Sequence, residues 1–205
     1  MCSSDLVAIN INNYRPRGAT GFFDTIISSF EAVLKVIETP DIHASLQHIE
    51  KDMEYEKLRP IHSKMIFKDF DNAFSVHDMD VKGTLEDYTD FRNKYTRRYH
   101  RLMKDVYDPS ILFVRYFDDE NDEHTFRRPP TPLQLDRFFE NSLCRLLLVG
   151  KGTIQYTHPR LYVEQFADYP MLPETTPWGQ YNWKSVLDKF NKDHSRNKTN
   201  IKIHV

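Results

Sequence analysis

Cysteine is scarce in this chain: Cys2 and Cys144 are the only two in 205 residues. That is too few for a disulfide framework and fits a reducing compartment. Glycine is thin as well, at six residues, and none of them builds a Gly-rich phosphate loop or the Gly-x-Ser-x-Gly elbow of an α/β-hydrolase. Long hydrophobic runs are missing. The longest, among them Ile111 to Val114 and Leu146 to Val149, are strand-sized, against the roughly 20 apolar residues of a membrane helix. An excess of either charge is missing too: 28 Lys and Arg face 30 Asp and Glu, a net charge of −2. Nucleic acid is therefore not expected as the partner, since phosphate binding is driven by a positive surface. No signal peptide is visible, so the expected setting is the cytoplasm, with no membrane partner and no cofactor.

What is present suffices for one hydrophobic core. A single domain is expected over 7–190, followed by a loosely ordered polar tail at 191–205. Met1 to Leu6 can be encoded by a DNA stretch that looks like the end of a common sequencing-library adapter read in frame. Residues 1–6 are therefore read as a scar, and the chain as truncated at its N-terminus.

Hydrophobic spacing supplies the elements. Phe23, Ile26, Ile27, Phe30, Val33, Leu34 and Ile37 recur every three or four residues, which predicts a helix over 22–37, stopped by Thr39 and Pro40. A weaker helix is expected over 42–53. Met65 to Phe70 and Phe74 to His77 read as strands joined at Asp71 and Asn72, a hairpin pattern. Thr84 is the expected cap of a long helix to Val106, with Leu85, Tyr88, Phe91, Tyr95, Leu102, Met103 and Val106 as its buried stripe. Ile111 to Val114 is an unbroken apolar run, as in a central strand covered on both faces. Thr131 and Pro132 are start signals for a helix through Leu143. Leu146 to Val149, Thr153 to Tyr156 and Leu161 to Val163 read as strands, and Trp183 to Phe190 as a closing helix. This alternation predicts an α/β fold: a mostly parallel sheet flanked by helices, with some antiparallel edge strands.

The densest cluster of chemistry runs from Phe74 to Arg115. A short apolar strand delivers His77 and Asp78, an aromatic-striped helix follows, and the next strand carries Arg115. Of the adjacent Arg97 and Arg98, which point about 100° apart on a helix, one is expected to be structural. The other, with Arg115, is a candidate for an anionic substrate or for an ion pair with Asp24.

Phe22, Phe23 and Asp24 before a helix, His77 and Asp78, Tyr95 with Arg97 and Arg98, and Phe113, Val114 and Arg115 together resemble a family of unknown function described as papain-like cysteine peptidases. The likeness covers 7–115, with a weaker echo at Trp178 and Trp183. Phe22, Thr25 and Met79 depart from the family pattern, which has Pro, Trp and Phe there. The resemblance implies a thiol hydrolase acting on a peptide or small-molecule substrate, with His77 as the base and Asp78, Asp24 or Asp118 orienting it. The family's Cys would fall just before Val7, within the scar, so the nucleophile is read as lost by truncation. The alternative reading of the same residues is an α/β transferase or binding module in which Arg98, Arg115 and His77 hold a sugar, a nucleotide or another anionic ligand.

Other constellations are weaker. Asp118, Glu120, Asp122 and His124 lack the Gly and terminal Glu of a calcium loop and read as solvated. His77, Asp78 and Asp80, and the scattered His43, His48 and His62, lack metal-ligand spacing, so no metal is expected. Cys144, between a helix and a buried strand, reads as a core thiol.

Overall fold

Ser29 decides where the first helix begins. Its hydroxyl accepts from the Ala32 amide at 3.0 Å and donates to Asp71 at 2.5 Å, so helix α1 is Phe30–Glu38. Ile26–Ile27 upstream is strand β1 instead. The expected helix over 22–37 is thus cut short: the isoleucines suit its spacing, but two adjacent β-branched residues before a capping Ser suit a strand better. The structure is a computed structural model and describes residues 21–23, 26–58, 63–76, 85–118, 125–165, 188, 192 and 202–204.

The helix expected over 42–53 is also divided. Asp41 caps helix α2, Ile42–Ser45. Asp52 accepts from the Glu54 and Tyr55 amides at 3.2 and 3.0 Å and so opens helix α3, Met53–Leu58. Between them Ile49–Lys51 forms strand β2. The hairpin appears as β3, Met65–Phe67, and β4, Ala73–Ser75. Asp71 and Asn72 take the left-handed conformation at its turn, φ 53° and 54°, which short polar side chains tolerate. These strands form an antiparallel sheet in the order β1-β4-β3-β2.

The long helix α4, Leu85–Val106, follows its apolar stripe. Phe91, Tyr95, Tyr99, Leu102 and Val106 are buried, and Arg98 is buried among them. The helix seats its aromatic face on the antiparallel sheet, with ring centroids of Phe67 and Tyr95 5.0 Å apart and those of Phe22 and Tyr95 5.4 Å apart. Arg92 Nε donates to the Leu46 carbonyl at 3.0 Å and Tyr99 to the Thr39 carbonyl at 3.1 Å, which fixes the helix lengthwise.

The second sheet is parallel. Strands β5, Ile111–Asp118, β6, Arg145–Lys151, β7, Leu161–Gln165, and β8, Lys202–His204, lie in the order β7-β6-β5-β8. β5 lies between β6 and β8, as its apolar run predicts. Helix α5, Pro132–Glu140, crosses from β5 to β6 behind a reciprocal cap between Thr131 and Gln134. Gly152, at φ 118°, turns the chain out of β6. Thr153 to Tyr156 is not a strand. Tyr156 instead donates to Asp136 of α5 at 2.6 Å, and the ring of the nearby His158 stacks on Phe139 at 3.9 Å, so the segment packs on a helix rather than pairing.

The protein is therefore a mixed α/β fold. Its antiparallel strands do not edge the parallel sheet but pair in a sheet of their own, because the short hairpin recruits β1 and β2 on its two sides. Lys202–His204, within the stretch expected to be a loose tail, pairs with β5. The helix expected over 183–190 lies outside the described residues except for residue 188. Buried side chains from both sheets and from α1, α4 and α5 make one contiguous core.

Candidate anion-binding cleft

Strand β5 alternates sides, so Phe113 and Arg115 share a face. That face looks onto β1, the start of α1 and a 3-10 turn at Thr125–Arg127. The gap between them is a cleft of about 90 Å³. Its walls are mainly carbon: Ile26, Phe30, Val33, Phe113, Phe138 and Leu146. The rings of Phe30 and Phe138 meet at 5.8 Å, which makes one wall a rigid aromatic pair.

Two arginines, Arg127 and Arg115, line this cleft, and Arg115 is fixed by the main chain. Its Nη2 donates to the carbonyls of Ser28 at 2.9 Å and Phe126 at 2.8 Å. The guanidinium carbon lies 5.6 Å from the centroid of Phe30. Its Nε is fully buried and has no hydrogen-bond partner. No carboxylate pairs with Arg115 among the described residues. Removal from water pulls its pKa down from 12.5 to about 10, yet at neutral pH the side chain stays cationic. The residue as a whole is half-buried, and a charge partly withdrawn from water is ordinarily paired, because it forfeits part of its hydration.

A second, larger basin of about 530 Å³ adjoins the cleft across Phe30 and Phe126 and is lined by Ser29, Glu31, Asp71 and Gln134 among others. Its acids are engaged. Asp71 accepts from Ser29, and Glu31 accepts from Arg137 at 3.0 Å and Gln134 at 3.1 Å. These contacts hold α1 to α5 and to the hairpin.

Arg98, the other substrate-binding candidate, is buried on α4 with its guanidinium 5.0 Å from the Tyr95 ring, and it does not line the cleft. Arg97 is exposed. Arg98 is thus the member of the pair that shares the buried aromatic face, and it is not brought together with Arg115. His77, Asp78 and Asp24 lie outside the described residues, and of Asp118, the last residue of β5, only the main chain is described.

No family model, curated protein or solved structure matches this chain. The resemblance to papain-like peptidases accordingly rests on its motif residues alone. Cys144 is fully buried, and burial pushes its thiol up to about 11, the opposite of what a nucleophile requires. No cluster of three or more potential metal ligands occurs among the described residues, and no helix among them is long and apolar enough to cross a membrane.

The walls were harder to foresee than the charge. An Arg within the apolar run Ile111 to Phe117 is a visible signal. The carbonyls of Ser28 and Phe126 that aim it belong to segments 87 and 11 residues away, and no local pattern marks them.

Proposed function

We propose that this chain is a binding module for a small anionic ligand held at Arg115. The observation that carries the reading is a half-buried guanidinium with its Nε sealed from solvent, fixed by two main-chain carbonyls beside an open cleft, whose charge no carboxylate compensates among the described residues. Such a group is unfavourable in the empty protein, and an incoming anion restores the missing partner. The thiol-hydrolase reading draws no support from the described thiol, because Cys144 is shielded and its pKa is raised.

Thermal unfolding of the full chain across a panel of small anions tests this. A ligand at about 100 times its Kd is expected to stabilise by about 2.7 kcal/mol, a rise in Tm of roughly 5 to 10 °C for a chain of this size. The shift should vanish in Arg115→Gln. A panel without any saturable shift, or a shift that persists in the variant, would refute the reading.

A further inference from the structure

Resting on that reading, we infer that the ligand is a carboxylate carried on a compact, branched apolar body rather than a phosphate, a nucleotide or a sugar. The inference begins with the walls. Ile26, Phe30, Val33, Phe113, Phe138 and Leu146 present carbon to the cleft, with Ser28, Arg115, Tyr116 and Arg127 as its polar lining, and a sugar or nucleotide seated there would leave most of its hydroxyls and ring nitrogens without partners at a large desolvation cost. Those same walls favour an alkyl group in proportion to the area that they cover.

The walls suit a phosphate no better, since most of its oxygens would face carbon. A phosphate dianion is ordinarily met by several donors converging from cations, helix ends or glycine-rich loops. The described lining holds two guanidinium groups, those of Arg115 and Arg127, and no carboxylate; that of Arg127 lies 5.8 Å from the ring of Tyr116. The guanidinium of Arg115 is also set before the ligand arrives, since Nη2 is held at both carbonyls. Its Nε is closed to solvent, so a ligand is expected to meet the part of the guanidinium that lines the cleft.

Size completes the description. An apolar cavity of about 150 Å³ accepts benzene, whereas this cleft holds about 90 Å³. A branched chain of about four or five carbons is the body that suits it, with the carboxylate turned toward Arg115.

Isothermal titration of the full chain with 3-methylbutanoate, acetate, 3-methylbutanamide, inorganic phosphate and adenosine monophosphate decides the matter. The branched acid should bind about tenfold or more tightly than acetate, which lacks the body, and than the amide, which lacks the charge. Phosphate and the nucleotide should show no saturable heat. Arg115→Gln should abolish binding of the acid. Val33→Phe, which fills the cleft and leaves Arg115 in place, should weaken the branched acid about tenfold or more relative to acetate, and it serves as the test should the Arg115 variant fail to fold. Binding of phosphate or the nucleotide through Arg115, without binding of the branched acid, would overturn this inference and leave the anion-binding proposal standing. Absence of binding by every anion would overturn both.

Discussion

Arg137 shows how a single side chain joins two helices. From α5 it reaches Glu31 at 3.0 Å and Glu38 at 2.7 Å, both on α1, with all three side chains about one-third exposed. Burial would raise the pKa of Glu31, but the hydrogen bonds from Gln134 and Arg137 outweigh it and hold the carboxyl below its ordinary 4.5. A carboxyl with a depressed folded pKa stabilises the protein above its unfolded value and loses that contribution as pH falls through the folded one. Arg137→Met is therefore expected to cost about 1 kcal/mol at pH 7. The difference from wild type should shrink as pH drops below 4.5 toward 3, as read from urea midpoints across that range. A gap independent of pH would mean that packing, not charge, is lost. At this scale the sequence was legible where a residue's own chemistry decides its place: Cys144 reads as a core thiol and is one. Glu31, Glu38 and Arg137 were not legible, because their partnership spans about a hundred positions and depends on two helices meeting.

Elements with both a periodic face and end signals were the ones readable in advance. Helix α4 runs to Val106 as expected, and α5 begins at its Thr131 and Pro132 signals. The hairpin turns at Asp71 and Asn72, where polar residues accept the left-handed backbone. The segment before α1 shows why the others were harder. Ile26 and Ile27 satisfy helical spacing and strand propensity alike, and what selects the strand is pairing with Ser75 and Phe74, nearly 50 residues on. Ser29 then does two things at once, capping α1 and donating to Asp71 of the hairpin turn. Ser29→Ala should lower stability by about 1 to 2 kcal/mol in chemical denaturation. Ser29→Asp keeps the cap but sets a second carboxylate against Asp71, so it should recover little of that loss, whereas Ser29→Thr should recover most of it. Full recovery by Ser29→Asp would show that the tie to Asp71 contributes nothing.

The whole molecule joins two sheets of opposite strand logic through one core. Phe22, Phe67, Phe70, Phe91 and Tyr95 interlock beneath the antiparallel sheet, and the buried cluster continues without a break to Leu146 and Leu148 of the parallel sheet. Phe67 is 1% exposed. Phe67→Ala should cost about 3 to 5 kcal/mol, and the loss should register in both sheets, since a contiguous core unfolds as one unit. Hydrogen exchange of the β3 and β6 amides measures this directly. Protection lost in β3 alone would mean that the sheets open separately. The parallel sheet was legible from the alternation of β5, α5 and β6, whereas the independence of the antiparallel sheet was not. Three-residue strands carry no pattern that says which neighbours they will take.

The clasp of Arg115 on Ser28 and Phe126 has a kinetic side. One arm closes a loop of 87 residues and the other a loop of 11. Long loops close at an entropic cost that must be met before the contact returns anything, so the Ser28 arm is expected to close later than the Phe126 arm. Interactions absent from the folding transition state govern how slowly a protein comes apart rather than how quickly it assembles. A ligand held in the cleft, as proposed, is then expected to slow unfolding more than it changes the rate of folding.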